Sequence, residues 1–253
     1  SEIKGITIYC PTTTKVTHTD STDVLLFAGS VSTTSSDTIE VNFGANMGES
    51  ATTLSNYTLD GKALPAGTEV KFVGSKQVVH IVLPSETYAK KETQKFIIST
   101  NVKTEKGLAI VGNTDKKTAF ETAVDLTDNV APVLTKAEFV KESNDNNNTK
   151  VIKLTFSEAV TATDDEDFLL LVGTTQVKVD SVEVNDDNVK EVVLKLAEGV
   201  NVTQASTLEL TVDADYNTDE VINVEDYAKN KAKAVKLSVG TVVNETLFNS
   251  YGK

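Results

Sequence analysis

Lys150-Val151-Ile152-Lys153-Leu154-Thr155-Phe156 alternates along its length. In an extended chain Ile152, Leu154 and Phe156 fall on one side and Lys153 and Thr155 on the other. One buried face and one wet face is what a strand of an antiparallel sandwich requires. Asp37-Thr38-Ile39-Glu40-Val41-Asn42-Phe43 has the same alternation, and Phe43 and Phe156 lie 113 positions apart. Val78-Val79-His80-Ile81-Val82-Leu83 matches Glu191-Val192-Val193-Leu194-Lys195-Leu196 at the same offset. Lys95 to Thr100 matches Thr207 to Val212 at an offset of 112, and Asn56-Tyr57-Thr58-Leu59 with Gly61 pairs loosely with Asp167-Phe168-Leu169-Leu170 and Gly173. Ordered matches at nearly one offset mean that one domain is present twice.

Turn-forming stretches separate the apolar runs: Gly44-Ala45-Asn46, Asp60-Gly61-Lys62, Asn144 to Asn148, and Asn185-Asp186-Asp187-Asn188. About seven short strands per copy of roughly 110 residues predicts an all-β chain of two tandem Ig-like antiparallel β-sandwiches. Helix is expected only as short turns near Ser85–Lys91 and Val200–Ser206. The expected division is residues 1–20 as an extra segment or the end of a preceding domain, then 21–128 and 129–240 as the two sandwiches. Residues 241–253 read as a tail or the start of another domain. Pro132 cannot donate to a ladder and pushes Ala131 towards extended backbone, so the join reads as short and fairly straight.

Composition narrows the function. The chain has 253 residues, 39% of them hydrophobic, and a net charge of −13. All 24 basic residues are Lys, with no Arg. An acidic chain without Arg repels a polyanion and lacks its best phosphate ligand, so nucleic acid is excluded as a partner. Cys10 is the single cysteine, so no intrachain disulfide can form; this favours a bacterial exterior over a eukaryotic secreted Ig domain. No apolar run approaches the roughly 18 residues of a membrane span. No signal peptide opens the sequence, which reads as a mature protein or an excised fragment.

Leu154-Thr155-Phe156-Ser157-Glu158-Ala159-Val160, preceded by Asn129-Val130-Ala131-Pro132, resembles the opening of bacterial Ig-like domains of surface-layer (S-layer) proteins. Ile222-Asn223-Val224-Glu225-Asp226-Tyr227-Ala228-Lys229-Asn230 resembles the segment before their last strand, with Leu108 to Asn113 a shorter counterpart in the first copy. The first copy departs from the pattern at Gly44-Ala45-Asn46-Met47. The resemblance implies a secreted building block of a cell-surface lattice. Its partners would be other copies of the same protein, and the cell envelope through regions outside this chain. Similar domains also serve as adhesins or carbohydrate-binding modules and as spacers in secreted enzymes. A sugar platform needs exposed aromatic rings, and here Trp is absent and the six Tyr form no cluster.

The chemistry of catalysis is not legible. His18 and His80 have no evident carboxylate or nucleophile beside them, and no HExxH, paired-Cys, phosphate-loop or nucleophile-elbow motif occurs. The chain therefore reads as non-enzymatic. Acidity is concentrated in the second copy, and Ca²⁺ is the one cofactor it suggests. Candidate ligands are Asp164, Asp165 and Asp167 in one loop; Asp213, Asp215, Asn217 and Asp219 in another; and Asp125, Asp128 and Asn129 at the junction, where an ion could be shared with a neighbouring loop. The spacing Asp213-x-Asp215-x-Asn217-x-Asp219 begins like a calcium loop but has Thr218 in place of the sixth-position glycine and Val224 at the twelfth, so it is not an EF-hand. The competing reading is ordinary solvated loop acids.

Overall fold

The computed structural model describes residues 24–111, 119–144, 150–197 and 205–252. Cys10, His18 and the segment 1–20 lie outside them. The chain divides into two compact units between Val130 and Ala131.

The first unit contains β1 (Val24–Leu25), β2 (Val31–Ser35), β3 (Thr38–Asn42), β4 (Tyr57–Leu59) and β5 (Lys62–Ala63). It continues with β6 (Glu69–Val73), β7 (Ser75–Val82), β8 (Glu92–Ile98), β9 (Ile110–Val111) and β10 (Phe120–Leu126). One antiparallel sheet has the order β2-β3-β7-β6 and the other β10-β8-β4-β5, while β1 and β9 form a short parallel pair. Ile39, Val41, Val79 and Ile81 of the first sheet share one core with Tyr57, Phe96, Ile98 and Phe120 of the second. Tyr57 stacks on Phe96 with centroids 5.9 Å apart. Removing one such ring from water contributes about 1.5–3 kcal/mol. Asp60 and Gly61 both adopt left-handed backbone (φ 49° and 73°), which joins β4 to β5 in a two-residue hairpin.

The second unit contains β11 (Leu134–Lys141), β12 (Val151–Phe156), β13 (Val160–Thr161), β14 (Phe168–Val172), β15 (Thr175–Val177) and β16 (Val179–Val184). It continues with β17 (Glu191–Leu196), β18 (Ser206–Leu210), β19 (Glu225–Asp226), β20 (Val235–Ser238), β21 (Gly240–Val243) and the helix α1 (Glu245–Tyr251). Its sheets run β16-β17-β12-β11-β21 and β15-β14-β18-β20, with β13 paired to β19. Each unit is an Ig-like antiparallel sandwich.

The repeat extends to register. Ile39 faces Ile81 and Val41 faces Val79 in the first unit; Ile152 faces Leu194 and Leu154 faces Val192 in the second. Every one of these partners sits 113 positions after its counterpart.

The second unit departs from this shared pattern at its end. Residues 241–252, expected as a tail or the opening of another domain, pair and pack with the second sandwich. Here β21 runs parallel to β11, and α1 packs Leu247, with Phe248 and Tyr251, over Val140, Val151 and Val193. The five-stranded sheet is thus apolar on both faces at that end. The first unit has Thr38 and His80 where the second has Val151 and Val193, so its outer face is polar at these two positions, with Val78 and Val82 beside His80 on the same side of β7. The α1 helix also corrects the helix expectation. Residues 85–91 form bends, and 198–204 fall outside the described residues.

Candidate functional site

A 3-10 turn precedes the same strand in both units: Leu54–Asn56 before β4 and Asp165–Asp167 before β14. The turn ends in a buried polar residue each time. In the first unit this is the neutral Asn56, whose Nδ2 donates to the Ser50 carbonyl at 2.8 Å. In the second it is Asp167, fully buried. A buried carboxylate needs donors, and they come from the loop after β18. Asn217 Nδ2 donates to Asp167 Oδ1 (3.2 Å) and the Asn223 backbone N–H to Asp167 Oδ2 (2.9 Å). Burial pushes the Asp167 carboxyl up to about 6. The Asn223 N–H opposes the rise, Asp164 and Asp219 add to it, and the Asn217 amide again opposes it.

The two acidic clusters of the second copy therefore meet in part. Asp164 Oδ1 caps the turn through the Glu166 N–H (3.0 Å), leaving Oδ2 to accept from Asn223 Nδ2 (3.1 Å). Asp219 Oδ2 accepts from the same nitrogen (3.0 Å), and that bond holds its carboxyl below the usual range. Asn217 is fully buried and also donates to the carbonyls of Thr211 and Val221, while its Oδ1 has no donor. Among the described residues, no three carboxyl groups of this region present oxygens within 4.8 Å of one another. The amide of Asn223 stands between them.

The remaining candidates do not join the group. Asp213 and Asp215 are exposed, and the Asp213 side chain closes a turn on the Asp215 N–H (3.1 Å). Asp165 lies in the turn near Tyr216, which donates its hydroxyl to the Phe168 carbonyl (2.7 Å). In the first unit, Asp125 accepts from Thr93 Oγ1 (2.6 Å) with Lys91 at 3.7 Å, and Asp128 accepts from the Val130 N–H. Asn129 is committed elsewhere: its Oδ1 accepts from the N–H groups of Thr87 and Tyr88, both at 2.8 Å, and its Nδ2 donates to the Pro84 carbonyl. That buried amide is the peg of the 84–88 loop, which occupies the lone pairs a cation would use.

Two contributors were not among the candidates. Glu166 Oε2 accepts from both the N–H and the hydroxyl of Thr218 (2.8 and 2.6 Å), which holds its carboxyl low and ties the turn to the loop. Asn223 is the other, and only its position in a run of Val, Asn and Glu could have drawn attention to it. On the outer face of the first unit, His80 Nε2 lies 2.9 Å from Glu40 Oε2. The partner that sequence reading could not name is therefore the residue facing it on β3.

No protein-family model and no curated protein matches the chain. Among solved structures, the N-terminal part of the bacterial S-layer protein SbsC is similar at 14% identity, covering 43% of this chain and 23% of that one, with a TM-score of 0.31. The I-band fragment I67-I69 of titin is similar at 12% identity over 74% of this chain and 53% of that one (TM-score 0.34). The N-terminal Ig domains of Down Syndrome Cell Adhesion Molecule are similar at 12% over 83% and 22% (TM-score 0.29). The chain spans between about a quarter and a half of these molecules' lengths. Likeness at this level carries nothing about activity.

Proposed function

We propose that this chain is a non-enzymatic, rigid segment of a secreted bacterial S-layer protein, contributing lateral contacts between copies in a cell-surface lattice. The observation that carries this reading is the repeat: two sandwiches built in the same register with the same offset of 113 residues. Duplication of a module with a well-filled core extends a chain without adding a reaction site, which suits a scaffold. The resemblance of the Leu154–Val160 stretch to S-layer Ig-like domains supplies the setting. Sedimentation velocity and electron microscopy of the purified chain over a wide concentration range test it. Ordered oligomers or sheets are expected, and a strictly monomeric chain at the highest concentration would sink the reading.

Carbohydrate binding is the second reading, favoured by one feature. Beside α1 a cleft of about 410 Å³ is lined by Asn185, Asp186, Asp187, Asn244, Ser250 and Tyr251. One aromatic ring with several carboxylate and amide groups suits sugar hydroxyls. Glycan-array hits that vanish with Tyr251→Ala would promote it over the lattice reading.

A further inference from the structure

Each of the four larger sheets ends in two edge strands, and a row of free N–H and C=O groups on an edge is a template for another strand. Four edges carry charge that discourages this: Glu69 and Lys71 on β6, Glu121 and Asp125 on β10, Asp180 and Glu183 on β16, and Lys236 on β20. The edges β5 and β15 are only two and three residues long. Among the described edges, only β2 (Val-Ser-Thr-Thr-Ser) and β21 (Gly-Thr-Val-Val) combine greater length with no charge and no Pro. Ser32 and Thr33 are exposed, as are Gly240, Thr241 and Val243, the last at 54%. Among the described residues, no strand pairs with the far side of either one.

The second unit shows what such an edge accepts. Val31 faces Val41 and Thr33 faces Ile39, as Ala137 faces Leu154 and Phe139 faces Ile152, so β2 is the counterpart of β11. The far side of β11 is taken by β21, with Glu138 against Gly240 and Phe139 against Thr241. Their counterparts in β2, Ser32 and Thr33, are exposed where Glu138 and Phe139 are buried. We propose that the open edge of β21 in one copy pairs with β2 of a second copy, joining a five-stranded sheet to a four-stranded one. The row of backbone groups that β11 offers to one side of β21 is then offered by β2 to the other. Val31 and Thr33, with Thr241, Val242 and Val243, are β-branched and suit cross-strand pairing. The register of β2 slips only between Thr33 and Ser35, which leaves Val31 to Thr33 regular. Two unlike edges joined head to tail propagate from copy to copy, so this interface deepens the lattice reading and rests on it.

The test is sedimentation velocity of the whole chain over a wide concentration range, with a lysine placed on each edge in turn. Thr33→Lys and Thr241→Lys should each weaken association by about tenfold or more, because an edge charge blocks strand addition. Gln176→Lys, on the short edge β15, should associate as wild type. The decisive sample is a mixture of Thr33→Lys and Thr241→Lys. Each keeps the edge the other has lost, so the mixture should form dimers of wild-type affinity that grow no further. Circular dichroism checks folding; should either variant unfold, Ser32→Lys or Val243→Lys on the same edge replaces it. A wild-type chain that never associates overturns the lattice reading and this interface together. Association that both lysines leave unchanged overturns the interface alone, and so does a mixture that stays monomeric.

Discussion

Asn217 Nδ2 and Asp167 Oδ1 meet at 3.2 Å with both residues wholly removed from solvent, and this contact joins two loops that lie 50 positions apart. Asn217→Ala leaves Asp167, the Thr211 carbonyl and the Val221 carbonyl short of a donor. Loss of such a hub costs about 2–4 kcal/mol. Urea unfolding should show a lower midpoint for the second unit, with the first unit unchanged.

Asp167 also makes stability depend on pH. Its carboxyl, raised to about 6 in the folded chain, titrates near 3.9 when unfolded. The folded state therefore binds the extra proton between those values. The contribution is fully present below about pH 4 and is lost as pH rises through about 6, a difference of about 2–3 kcal/mol. Glu166 and Asp219, with lowered values, act in the opposite sense and weaken the fold only in stronger acid. In chelator, the second unit should be more stable at pH 5 than at pH 7.5. Asp167→Asn should flatten that slope; an unchanged slope would assign it to another group.

Leu247 holds α1 on the sheet over Val140, Val151 and Val193. Leu247→Ala should cost about 2–3 kcal/mol. Leu247→Asp should release the helix and expose the valines, read as binding of a hydrophobic dye to the second unit.

Asn129 serves the first unit as Asn217 serves the second. Asn129→Ala strips the Thr87 and Tyr88 N–H groups of their acceptor and should cost about 2–4 kcal/mol. Hydrogen exchange at those two amides should rise first, before global unfolding.

Glu40 and His80 form a partly exposed pair at 2.9 Å. Glu40→Gln should change stability by less than about 1 kcal/mol, because such pairs exchange solvation for a modest attraction. A larger loss in thermal unfolding would mean that the pair organises the outer face of its sheet.

Much of the fold was legible because strand alternation is a local property. Ile39, Val41 and Phe43 declare their buried face without reference to any partner, and so do Ile152, Leu154 and Phe156. Val151 and Val193 did not, because their outer face is buried by a helix that follows 52 residues after Val193. The helix itself, Glu245 to Tyr251, is too short to show a period of its own. The site was half legible. Acidic residues mark loops wherever they occur, but which of them face inward depends on chain reversal: Asn217 is buried while Asp213 and Asp215, four and two residues earlier, are exposed. Asn129, placed by its position among junction acids, has its hydrogen-bonding capacity absorbed by the 84–88 loop.

The parallel pairing of β21 with β11 determines how the second sandwich yields to traction. β11 opens this unit and β21 lies near its end, aligned from Glu138 against Gly240 to Lys141 against Val243. Tension applied at the two ends of the unit, once α1 has been drawn off, pulls these neighbours in opposite directions along their common axis. Their hydrogen bonds are then strained together in shear instead of parting one by one like a zip. The first unit has a shorter version in β1 and β9, with Val24 against Ile110 and Leu25 against Val111.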